Sequence, residues 1–135
     1  MKQFFKLIII LFFVCTLSGC AYDRGVVLLN SVPITENNAL HGQNVFRPGS
    51  KVYFLFIAPK KMYNDFIRVQ VFSLTDKADL GGEDMIRTKD FRLMRDERYY
   101  YTDYFTIWEK GRYVIQIFSH EDFTNPLAVR EFFVQ

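Results

Sequence analysis

Histidine and cysteine, the residues of most metal centres and many nucleophilic sites, are nearly missing, with two of each among 135 residues. The histidines, His41 and His120, stand far apart. The run His120-Glu121-Asp122 sets neighbours on opposite faces of a strand and offers no third or fourth ligand, so no metal site is expected there. No serine sits in a Gly-x-Ser-x-Gly elbow and nothing selects a pair of carboxylates, so the expectation is a protein that is not an enzyme and holds no cofactor. An excess of one charge is lacking too. Two of the 17 Lys and Arg, Lys2 and Lys6, fall in the first 19 residues, which hold no acid, leaving 15 bases and 15 acids in the rest. That balance argues against nucleic acid as a partner, because a phosphate backbone demands a basic face. Disorder is excluded by what is abundant: half of the chain is apolar and 18% of it aromatic.

The excess of bases at the start has the form of an address. Met1 to Lys6 carry two positive charges, and residues 7–15 (LIIILFFVC) are uninterrupted apolar. A spanning helix needs roughly 20 apolar residues to cross about 30 Å of hydrocarbon, and this run is far shorter. It is the layout of an export signal ending in small residues, and residues 1–19 are expected to be cleaved. Leu17-Ser18-Gly19-Cys20 resembles the lipobox of bacterial lipoproteins. The resemblance implies that Cys20 carries a covalent diacylglycerol and an N-linked acyl chain and becomes the first mature residue. It further implies a lipid bilayer as partner and a place in the cell envelope, with Ala21 after the cysteine favouring the outer membrane, facing the periplasm or the surface. Cys15, inside the apolar run, does not fit the pattern. With Cys15 cleaved away and Cys20 acylated, the exported domain has no thiol to pair. It must be held by its core, and 116 residues suffice to bury roughly two thirds of their unfolded surface. Residues 20–25 form the lipidated cysteine and a short tether, whose five residues 21–25 reach about 17 Å fully extended at 3.3–3.6 Å each, so the domain of residues 26–135 is expected almost on the bilayer.

Beyond the tether the periodicity is that of strands, with no convincing helix. Residues 66–73 and 112–118 alternate, Ile67, Val69 and Val71 on one face, and Tyr113, Ile115 and Ile117 likewise. Residues 52–58 (VYFLFIA) are apolar in both registers, as in a central strand covered on each side. Residues 26–32, 99–107 and 127–134 are extended in character, and residues 85–93 form a weaker candidate suited to an edge. Turn signals separate them at Pro48-Gly49, Pro59 to Lys61, Gly81-Gly82, Lys110-Gly111 and Asn125-Pro126. About seven strands without helices predict an all-β fold, a single antiparallel β-sandwich, with a small up-and-down barrel as the alternative.

The segment Ile107-Trp108-Glu109-Lys110-Gly111-Arg112-Tyr113 resembles the turn into the sixth strand of immunoglobulin-like and fibronectin III-like domains. That resemblance implies that Tyr113 returns its hydroxyl to an upstream backbone group as a tyrosine corner, and that residues 129–134 form the last strand.

Two polar stretches invite a ligand. Asp76, Asp79, Glu83 and Asp84 surround Gly81-Gly82, but the regular Asp-x-Asp-x-Asp-Gly spacing of a calcium loop is absent, so a solvated loop is expected. If residues 99–107 are one strand, Tyr99, Tyr101, Phe105 and Ile107 share the core face with Asp103, while Tyr100, Thr102 and Tyr104 line the other. Tyrosines there suit either a binding face or cross-strand packing. Lys60-Lys61 and Arg68 add a local basic spot, expected as a solvated loop that happens to suit lipid headgroups. The function expected is that of a membrane-anchored, non-catalytic accessory or assembly module that docks on another envelope protein. The alternative is a ligand-binding lipoprotein that captures a glycan, peptide or small molecule through Tyr100, Thr102 and Tyr104.

Overall fold

Eight strands account for the alternating segments. The computed structural model describes residues 24–74 and 83–135. The signal segment, Cys20 and residues 75–82 of the acidic loop lie outside the described residues. In chain order the strands are β1 (Val26–Asn30), β2 (Val45–Phe46), β3 (Lys51–Ile57), β4 (Phe66–Leu74), β5 (Glu83–Arg92), β6 (Tyr100–Thr106), β7 (Gly111–Ser119) and β8 (Ala128–Val134). No helix occurs among the described residues. The strands form a three-stranded sheet, β1-β3-β6, and a five-stranded one, β2-β8-β7-β4-β5.

One core joins the two sheets. Leu29, Val52, Phe54 and Phe56 come from the three-stranded sheet, and Ile67, Val71, Ile115, Ile117 and Phe132 from the other, all essentially inaccessible to solvent. Aromatic rings bridge the layers, Phe105 against Phe132 at 5.7 Å and Phe91 against Tyr101 at 4.8 Å. β1 and β6 bound one sheet and β2 and β5 the other. No ladder joins the sheets among the described residues, so the up-and-down barrel is not what forms.

Three expectations need correction. The strands number eight rather than about seven, because β2 is a two-residue strand that no alternation could announce. β2 pairs with β8 in parallel, so the fold is not wholly antiparallel. The pairing is held from outside the strand, by Phe133 N–H donating to Asn44 O (2.7 Å) and Gln135 N–H to Phe46 O (2.9 Å). The third correction concerns β3, which is central in its sheet but covered on one side only. Val52, Phe54 and Phe56 face the core, while Tyr53, Leu55 and Ile57 are half-buried or exposed.

The far end of the molecule turns on Gly49, which has φ +76° and whose N–H donates to Ile107 O at 2.8 Å. A Cβ on Gly49 would stand 2.5 Å from the Trp108 ring. That ring is 76% exposed and free to swing aside, so backbone strain dominates the cost of a side chain here. Gly49→Ala is expected to destabilise the fold by about 1–2 kcal/mol, the ordinary penalty for a left-handed L-residue, and to change Trp108 fluorescence. An unchanged urea midpoint would count against this turn geometry.

Candidate functional site

The ladders bring the tyrosines of β6 together with side chains of β1 and β3 on one outer sheet face. Val26, Ile57 and Tyr100 form one row, Leu28, Leu55 and Thr102 the next, and Tyr53 stands beside Tyr104. Tyr100 and Tyr104 are 45% and 47% exposed, and Thr102 is exposed between them. On the other side of β6, Phe105 is buried and Tyr101 half-buried, as the alternation predicts, but Tyr99, expected on the same core face, precedes the strand and is 56% exposed. Asp103 sits beside Tyr101, whose hydroxyl pKa is pushed up, first by burial and then by that carboxylate.

Local contacts fix this face. The Tyr53 and Tyr104 rings lie 5.5 Å apart, and the Lys51 ammonium stands 4.4 Å from the Tyr104 ring centroid, within cation–π range. The Thr102 hydroxyl donates to Phe54 O at 2.9 Å, so it serves the sheet's own backbone. Lys51, paired with Thr106 one row beyond Tyr53 and Tyr104, brings a charge to the far end of this face.

The outer face of the five-stranded sheet mixes ion pairs with exposed apolar side chains, Phe66, Val129 and Phe133 among them. Arg68 grips Asp90 with two bonds of 2.7 and 2.9 Å, and Arg112 pairs with Glu131 at 3.0 Å. The hydrogen bond from Arg68, seconded by His120 Nε2 at 3.3 Å, holds the Asp90 carboxyl down to about 2. Arg68 therefore contributes no free charge to the basic spot expected with Lys60 and Lys61. Asp122 accepts bonds from Thr124 and Asn125, which hold its carboxyl well below the usual range. His120, Glu121 and Asp122 are thus not gathered toward a common point, and no cluster of metal-ligating side chains occurs among the described residues. Tyr113 is 2% exposed, and its hydroxyl donates to the Glu109 carbonyl, four residues upstream, at 2.8 Å.

Two cavities of about 250 Å³ lie away from the tyrosine face. One is bounded by Val71, Ile86, Trp108 and Tyr113, the other by Lys60, Lys61, Met62 and Leu127. Tyr100, Thr102 and Tyr104 line neither. The sequence reading therefore found the β6 third of the face and missed the rest. The signal was present in residues 52–58, whose second apolar register supplies Tyr53, Leu55 and Ile57.

No family model matches the chain, and no curated protein does. Among solved structures, the alkylpurine DNA glycosylase AlkC of Pseudomonas fluorescens, bound to DNA containing an abasic site analog, is similar at a TM-score of 0.42 and 15% identity, over 81% of this chain and 30% of that one. The beta-glucosidase of Kluyveromyces marxianus is similar at a TM-score of 0.42 and 14% identity, over 87% of this chain and 15% of that one. The chain thus spans less than a third of either, and likenesses this distant say nothing about activity.

Proposed function

We propose that this protein is a lipid-anchored, non-catalytic module of a bacterial cell envelope, which docks another envelope protein through the outer face of its three-stranded sheet. The observation that carries the reading is the contrast between the two outer faces. Residues on the five-stranded sheet intersperse the exposed Phe66, Val129 and Phe133 with the ion pairs of Arg68 with Asp90 and Arg112 with Glu131. Those on the three-stranded sheet offer an apolar and aromatic surface without an ion pair among the described residues, with Val26, Ile57, Tyr100 and Tyr104 all exposed. Contiguous exposed apolar surface of this kind marks interaction sites, and tyrosine is enriched at them. The immunoglobulin-like resemblance of residues 107–113, the expected lipidation of Cys20 and an outer-membrane location belong to the same reading. The cavity that Tyr104 borders, of about 30 Å³, is far smaller than the concave site that capture of a glycan, peptide or small molecule calls for, which favours a protein partner.

The test is photo-crosslinking in intact cells, with a photoreactive residue at Tyr100 and, as control, at Gln70 on the opposite outer face. One discrete adduct with an envelope protein is expected from position 100, none from position 70, and the adduct should vanish in Ile57→Arg. Equal adducts from both positions, or none from position 100, would overturn the docking face.

A further inference from the structure

The chain enters the domain beside the second cavity. Gly25 N–H donates to Leu127 O at 2.7 Å, and a Cβ on Gly25 would stand 2.6 Å from Ile57 O and 3.2 Å from Pro59 Cδ. Only glycine fits so close to a carbonyl oxygen. Pro59 and Leu127 are themselves walls of the cleft between the loop of residues 59–65 and the turn of residues 119–127. The root of the tether therefore touches the walls of this cleft, and a lipid on Cys20 is held within about 17 Å of it.

We propose that this cleft takes an anionic phospholipid of the membrane to which the tether leads; the proposal rests on the anchoring reading above and names a second partner for it. Met62, Ile67 and Leu127 give the cleft an apolar lining, and Lys60 and Lys61 stand exposed on its rim. The charges suit a phosphate. Asp65, the acid of the same loop, is held by Arg98 at 2.6 Å, whereas no ion pair among the described residues engages Lys60 or Lys61. Glu121 lines the opposite side and favours a headgroup seated toward the lysines. Tyr63, 83% exposed beside them, presents an amphipathic ring of the sort that settles at the headgroup level of a bilayer. About 250 Å³ falls short of what a drug-sized ligand fills, but it admits the glycerol and upper methylenes of one lipid whose chains remain in the bilayer. A lipid seated here would stand the sandwich on its tether end, with the Trp108 turn farthest from the membrane and the docking face directed along the membrane plane.

The experiment reconstitutes the full chain, purified from membranes, into phosphatidylcholine vesicles containing phosphatidylglycerol. A trace of either lipid carries a photoactivatable group on an upper acyl carbon, and labelled peptides are read by mass spectrometry. The phosphatidylglycerol probe is expected to label peptides holding residues 59–66 and 119–127. Labelling should fall about thirtyfold in Lys60→Gln/Lys61→Gln, as two lysines near an anionic surface warrant, with the thermal midpoint unchanged. Label scattered over the surface, indifferent to the double substitution, or fully displaced by equimolar glycerol 3-phosphate would overturn the lipid site. The same digest reads the mass of the Cys20 peptide. An acylated Cys20 with an unlabelled cleft overturns this proposal and leaves the anchor standing; a bare Cys20 with a labelled cleft does the reverse.

Discussion

Phe132→Ala is expected to destabilise the domain by about 3–5 kcal/mol, the usual cost of removing a fully buried phenylalanine. Phe132 is completely inaccessible and lies where the two layers meet. Its ring stacks on Tyr113 at 5.5 Å, meets Phe46 edge-on at 6.0 Å, and packs against Phe105 of the opposite sheet at 5.7 Å. Three strands besides its own therefore lose a neighbour at once, and rings this size cannot collapse into the gap without shifting the sheets. A domain of this size has about 5–15 kcal/mol of stability in total, so the loss consumes about a fifth of it or more. The adjacent Phe133 is the control. It points outward and is 37% exposed, and Phe133→Ala should cost less than about 1 kcal/mol. Urea denaturation of both variants decides the matter. A reversal of the two costs would mean that β8 is paired one residue out of register, which would turn every side chain of that strand to the other face.

That contrast also shows what a sequence can reveal about this fold. Period two is a local property, so the faces of β4, β6 and β7 were legible from Ile67-x-Val69-x-Val71, from Tyr101 to Ile107 and from Tyr113-x-Ile115-x-Ile117, while Tyr99, just outside β6, is exposed against expectation. Which strands share a sheet is not local. β3 finds its partners in β1 and in β6, where Thr102 pairs with Leu55 of β3 from 47 positions away. No turn signal announces such a ladder. β2 was invisible for the same reason, since two residues carry no alternation and their pairing is fixed by β8 nearly ninety positions later. The candidate face combines both difficulties. Its β6 third stood out as a run of tyrosines, but Val26, Leu28, Leu55 and Ile57 read simply as core. Apolar residues in both registers of a strand mean burial on both sides or burial on one side and a partner on the other. Only the sheet order distinguishes these cases, and it leaves the outer face of β3 bare.

Cys20→Ser is expected to remove the protein from its membrane almost entirely, more than about tenfold by fractionation, because two or three acyl chains are what makes such an anchor effectively permanent. The variant should accumulate either as a precursor retaining residues 1–19 or as a soluble chain, with no lipid mass on the peptide holding position 20. Cys15→Ser, inside the apolar run, should change nothing. Unaltered outer-membrane attachment of Cys20→Ser would overturn the anchoring reading. No helix among the described residues is long and apolar enough to cross a membrane, so attachment that persisted would need some other device. The same substitution probes the docking face indirectly. On the proposed anchoring, a tether of about 17 Å would confine the face to a thin layer above the bilayer, where a membrane-held partner would be present at high effective concentration. Freed from that layer, a modest flat face must find its partner by diffusion at ordinary concentration. The adduct from position 100 should therefore fall with the anchor, although Cys20 contributes nothing to the face itself. If the adduct survives at full strength in a soluble Cys20→Ser chain, the face is sufficient alone and the partner need not be membrane-bound.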